Sequence, residues 1–81
     1  MARVEIGKYL VIDSEICHGQ LTFKGTRIPV ETALAYLAMG YSVEQIIRKW
    51  PQLWSDAIEE AVDLATEALL ERYTPSRKKV A

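Results

Sequence analysis

The sequence predicts a mainly α fold, in which a small N-terminal β hairpin or wing precedes a three-helix, helix-turn-helix core. Three observations lead there. Strand formers broken by turn residues fill positions 1–28, and the apolar spacing changes to the helical period at Pro29. Gly40, Ser42, Pro51 and Ser55 then separate three successive periodic segments.

The β part begins with Tyr9-Leu10-Val11-Ile12, which stops at the turn pair Asp13-Ser14. Leu21-Thr22-Phe23 alternates, Lys24-Gly25 supplies a turn, and Thr26-Arg27-Ile28 follows as a third extended piece. Cys17-His18-Gly19 falls in the connection between these pieces. A unit this small needs helices to pack against.

The first helix is predicted over about 30–39, from Val30, Ala33, Leu34, Leu37 and Ala38 on one face. Pro29 presets its start, Glu31 suits the positive end of the dipole, and Gly40 closes it in the left-handed conformation. The second helix spans about 42–50, with Ser42 and Gln45 spaced as a capping box and Val43, Ile46, Ile47 and Trp50 as its stripe. Pro51 ends it. Ser55-Asp56 opens the third helix, about 55–73, where Ile58, Val62, Ala65 and Leu69 form a stripe beside Ala61 and Ala68. Residues 1–73 thus read as one domain, and 74–81 as a basic, flexible tail.

Composition bounds the function. Eighty-one residues with 49% hydrophobic content suffice for one core and argue against wholesale disorder. The single cysteine, Cys17, excludes an internal disulfide framework. Neither a membrane-length apolar run nor a signal-peptide core within Met1–Lys8 is present, so a soluble cytoplasmic protein is expected. The net charge of −1 conceals an uneven distribution. Asp56, Glu59, Glu60, Asp63, Glu67 and Glu71 face Arg72 alone within 51–73, whereas the tail holds Arg77, Lys78 and Lys79.

The helix order matches a helix-turn-helix, with the third helix in the reading position. Its opening turns carry Ser55, Asp56, Glu59 and Glu60, and carboxylates oppose contact with phosphates. DNA contact would therefore fall to Lys24, Arg27, Arg48, Lys49, Arg77, Lys78 and Lys79 as backbone-positioning groups. The bland alternative is that these bases only solubilise the surface. Glu59, Asp63 and Glu67 recur every fourth residue, an acidic ridge that is either solvated or meets a basic partner. Trp50 and Trp54 flank Pro51; Trp54 is the more exposed expectation and a candidate partner contact, preceding Ser55 as a cap. Cys17 and His18 cannot complete a zinc site, and they lack a third group for nucleophilic catalysis. No catalytic, cofactor or metal site is expected.

Gly25-Thr26-Arg27-Ile28-Pro29-Val30 is a recognisable hexapeptide. Together with Gly40-Tyr41-Ser42-Val43-Glu44-Gln45-Ile46-Ile47 and Pro51-Gln52-Leu53, it resembles the prokaryotic domain-of-unknown-function family 433, from about Tyr9 to Leu70. The resemblance implies a winged or homeodomain-like helix-turn-helix fold and a VapB-type antitoxin role. Such a protein neutralises a cognate toxin of PIN-like ribonuclease fold, dimerises, and represses its own operon. Two departures stand out. The family usually has Gly-Lys-Pro or Gly-Arg-Pro where this chain has Gly19-Gln20-Leu21, and often Thr where this chain has Trp54. Both weaken a transfer of DNA binding. Arg27 lies between Gly25 and Pro29, which set backbone geometry, so a structural pairing with carbonyls or a carboxylate is expected ahead of a phosphate contact.

The resulting expectation is an antitoxin-like, non-enzymatic binding module whose partner is a basic toxin. A homodimer or higher homo-oligomer is expected as well, through Trp54, the wing, or the Leu64, Leu69 and Leu70 flank. The alternatives are a DNA-binding regulator of its own operon, or a homo-oligomeric interaction domain without DNA binding. Operator DNA is a possible partner; a membrane is not.

Overall fold

A computed structural model describes residues 2–74. Arg77, Lys78 and Lys79, with the rest of the basic tail from residue 75 on, lie outside the described residues. Three strands, β1 (Arg3–Ile6), β2 (Leu10–Asp13) and β3 (Leu21–Phe23), precede three helices, α1 (Val30–Ala38), α2 (Val43–Lys49) and α3 (Ser55–Tyr73). The strands form an antiparallel meander with β2 in the centre. Its register places Ile6 opposite Leu10 and Leu10 opposite Phe23. Leu10, Phe23, Ile28, Val30, Ala33, Ile46, Leu53, Ala57, Ile58 and Ala61 form one buried cluster shared by the sheet and all three helices.

The β part differs from expectation at both ends. Arg3–Ile6 is a strand, paired along its length with β2, although only Ile6 is half-buried. An edge strand that buries so little carries only a faint alternation signal. Thr26–Ile28 is not a strand. It is a turn that leaves one isolated bridge, Thr22 to Pro29, and a hydrogen bond from the Phe23 amide to the Ile28 carbonyl (3.2 Å).

The helices follow their local signals. Pro29 sits immediately before α1, and Gly40 beyond its end has φ +100°, a conformation that costs glycine little. The capping box is formed: Ser42 Oγ accepts from the Gln45 amide at 3.1 Å, and Gln45 Oε1 accepts from the Ser42 amide at 2.8 Å. At α3, Ser55 is already helical and Trp54 occupies the capping position, so the expected Ser55 cap is absent and no side chain caps this end. Ala57, Ile58 and Ala61 are buried, but Leu69 is 59% exposed and the whole turn from Leu70 to Tyr73 is solvent-facing. The distal half of α3 therefore continues its core stripe past the body of the protein, and its Leu69 to Tyr73 turn is exposed among the described residues.

Candidate functional site

Beyond the shared core, one side chain among the described residues hydrogen-bonds the sheet to α3. Gly7 turns the chain between β1 and β2 at φ +61°, which aims the next two amides at the same point. Glu60 Oε2 accepts from the Lys8 amide and Oε1 from the Tyr9 amide, each at 2.7 Å. Glu60 is thus not an outward carboxylate of a reading helix but a clamp on the hairpin. A β-carbon at position 7 would lie 2.5 Å from Glu60 Oε2, so glycine also permits the close approach.

The clamp sets Tyr9 edge-on to Trp54, ring centroids 5.9 Å apart at 84°. Between them opens a cavity of about 370 Å³. Phe23, Leu53 and Ala57 contribute apolar lining, and Lys8 and Lys24 are its charged lining residues. Lys8 Nζ stands 5.5 Å from the Tyr9 ring centroid, a cation–π distance. Lys24 Nζ pairs with Glu5 Oε1 at 3.2 Å. The hydrogen bond and charge of Lys24, followed by the bond from Arg3, hold the Glu5 carboxyl below its ordinary value. Lys24, read from sequence as a nucleic-acid contact, and Trp54, read as a partner contact, line the same cavity.

A second concavity, about 490 Å³, lies among the three helices. Leu37 of α1, Val43 of α2, and Ile58 and Val62 of α3 line it, and Glu59 and Asp63 stand with them. Both carboxylates are exposed, as is Glu67 one turn further along the projecting part of α3. Among the described residues none of the three forms an ion pair. The predicted acidic ridge therefore exists, and its first two members edge an apolar groove.

Of the remaining predicted bases, Arg27, Arg48 and Lys49 line neither cavity. Arg48 and Lys49 are exposed at the end of α2, with Lys49 Nζ 5.7 Å from the Tyr36 ring and 6.0 Å from the Trp50 ring. Arg27 is exposed, and among the described residues its guanidinium has neither an ion pair nor a hydrogen bond. The expected structural pairing of that side chain is not made; only its carbonyl is used, accepting from Cys17 Sγ at 3.2 Å. The rest of the hexapeptide is a corner between β3 and α1. Thr26 Oγ1 donates to the Phe23 carbonyl (2.9 Å) and accepts from the Ile28 amide (3.0 Å), while Ile28 and Val30 are buried. Pro29 and Gly25 serve the same corner, and Arg27 is its exposed side chain, without a partner among the described residues. Cys17 and His18 both have positive φ, 51° and 57°, and His18 is exposed.

The family model described as "Protein of unknown function (DUF433)" matches residues 10–65, well over half of the chain. The chain belongs to the DUF433 family. Neither a curated protein nor a solved structure matched it. The DUF433 match takes in β2, β3, the hexapeptide corner, α1, α2 and the packed half of α3. Glu59, Glu60 and Asp63 fall within it, whereas Lys8, Tyr9 and the projecting end of α3 do not. Among the described residues no helix of this DUF433 protein is long and apolar enough to cross a membrane. Sequence reasoning missed Lys8 and Tyr9; Gly7 following the alternating Arg3–Ile6 run was the available signal for a tight turn there. Nothing local to Glu60 announced its partners, 51 and 52 residues away.

Proposed function

We propose that this DUF433 protein is an antitoxin-like binding module of a prokaryotic toxin–antitoxin pair, neutralising a PIN-like ribonuclease toxin. The observation that carries the reading is the apolar groove of Leu37, Val43 and Val62 edged by Glu59 and Asp63. A groove of this kind accepts the apolar face of an amphipathic helix through anchors three and four residues apart, and carboxylates at its edge select basic flanks. Glu67 extends the same field along α3. Catalysis plays no part in this reading, nor does a cofactor. The setting is a soluble cytoplasmic protein, and a homodimer would cover part of the exposed α3 end, where Leu69 and Leu70 are 59% and 55% exposed.

Co-expression with the product of the adjacent gene tests the proposal. The expected result is a stable complex and loss of the toxin's ribonuclease activity at equimolar ratio. Charge reversal in E59K/D63K should weaken the complex at least about tenfold, the equivalent of about 1.4 kcal/mol. A toxin that stays fully active in excess of this protein would overturn the reading.

A second reading, a DNA-binding regulator, is favoured by the exposed Arg27, Arg48 and Lys49. It takes α2 and α3 as a winged or homeodomain-like helix-turn-helix. Exposed Asp56, Glu59 and Asp63 on α3 argue against major-groove reading by that helix. The capture of Glu60 by the hairpin removes one carboxylate from that surface without reversing its sign. Absence of an operator shift at low salt, with and without the toxin, would remove this reading.

A further inference from the structure

The geometry points to a small-molecule site in the Tyr9–Trp54 cavity, one that takes an aromatic monocarboxylate. The cavity's size, about 370 Å³, lies within the range of small-ligand pockets. Its lining combines two chemistries. Phe23, Leu53 and Ala57 with the rings of Tyr9 and Trp54 form an apolar slot, in which a planar ring can stack or meet an edge. Lys8 and Lys24 are the two charged residues of the lining, with Lys8 Nζ 5.5 Å from the Tyr9 ring centroid, and among the described residues no carboxylate lines it.

Trp54 is 65% exposed, although a tryptophan at a helix start has ample apolar surface to bury; a bound ring would cover it. That side chain also leaves α3 without a side-chain cap, so the positive end of a 19-residue helix stands beside the cavity. Lys24 is partly occupied by Glu5 at 3.2 Å. An exposed pair of that kind is weak, so an incoming carboxylate can displace it. Glu5 then acts as a competitor for Lys24, and its removal should favour the ligand. The site is separate from the acidic-edged groove and does not depend on the partner proposed for that surface.

The test is an amide-resolved NMR titration of the full chain with indole-3-acetate and, in parallel, with the neutral indole-3-acetamide. Indole-3-acetate is expected to shift the amides of Tyr9, Lys24, Trp54 and Ala57 with a dissociation constant of about 1 mM or tighter, as a ligand of about 13 heavy atoms should. The acetamide should bind at least about fivefold more weakly, since it offers the lysines no charge. Trp54→Ala and Lys24→Met should each weaken the acid at least about fivefold while leaving spectral dispersion intact, because Trp54 is 65% exposed and Met keeps the aliphatic stem of the half-buried Lys24. Glu5→Gln should tighten it about twofold or more. Equal binding of acid and amide would overturn the site, as would shifts centred on Leu37, Val43 and Val62, or none at about 10 mM ligand. Tighter binding of the chain-end mimic N-acetyl-Gly-Gly-Phe would also overturn it, assigning the cavity to a protein C-terminus.

Discussion

Replacing Glu60 by alanine removes the only side chain that, among the described residues, hydrogen-bonds the β1–β2 turn to α3. Two backbone amides lose a carboxylate acceptor at 2.7 Å. A hydrogen bond to a charged group contributes about 1.5–3 kcal/mol, the upper end applying where water cannot replace the partner. The Lys8 amide is exposed, so water recovers much of its share, whereas the Tyr9 amide is partly buried and recovers less. The pair together should therefore cost about 2–3 kcal/mol. For a domain of this length that lowers Tm by roughly 10–20 °C. Glu60→Gln should recover less than half of the loss, because its amide nitrogen would face one of the two N–H donors.

Gly7 supplies the control. Alanine there is strained at φ +61° by about 1–2 kcal/mol and also displaces the carboxylate, with Cβ 2.5 Å from Oε2. In the Glu60→Ala background only the backbone strain remains, so the two substitutions should be less than additive by about 1 kcal/mol or more. Urea and thermal unfolding followed by circular dichroism read both effects. A Glu60→Ala variant within about 0.5 kcal/mol of the parent, or a Gly7→Ala cost unchanged by the Glu60 background, would refute the clamp.

Two further outcomes follow from the same geometry. Thr26→Ala should destabilise by about 1–2 kcal/mol in urea unfolding, through loss of both Oγ1 hydrogen bonds at the hexapeptide corner, while Thr26→Ser keeps the hydroxyl and most of the stability. Lys24→Met should raise the Glu5 titration midpoint toward an ordinary glutamate in a carbon-detected NMR titration, since Lys24 is the largest cause of its lowering. The sign for stability follows: a carboxyl held low in the folded state stabilises above its unfolded value, and that contribution is lost as pH falls through the folded one. Because Glu5 is an exposed residue, the effect on Tm should be small in the parent and smaller still in the variant.

Helix limits were legible in the sequence to within a residue or two, because their causes are local. Ser42 and Gln45 are three positions apart, Pro29 and Pro51 act on their own backbone, and Gly40 needs no distant partner. The sheet was harder. Thr22 and Val11 pair across a connection, and Arg3–Ile6 pairs without burying a face, so propensity marked β2 and β3 but passed over β1. Thr26-Arg27-Ile28 has the composition of a strand, yet the Thr26 hydroxyl bonds back to the Phe23 carbonyl and turns the chain there instead. The acidic ridge could be read from the four-residue spacing of Glu59, Asp63 and Glu67; the apolar groove beside it needed Leu37 and Val43 from two other helices.

By itself, then, the sequence determined the family, the order and extent of the helices, the hexapeptide corner and the uneven charge, since each depends on residues within a few positions of one another. Only the tertiary structure decided that Glu60 is a clamp rather than part of a charged face, that Arg27 has no partner among the described residues, and that Lys24 and Trp54 share a cavity. It also decided that the core stripe of α3 runs past the body into solvent. Those outcomes depend on which segments meet across up to 52 residues of chain, and side-chain type and periodicity carry no record of that meeting.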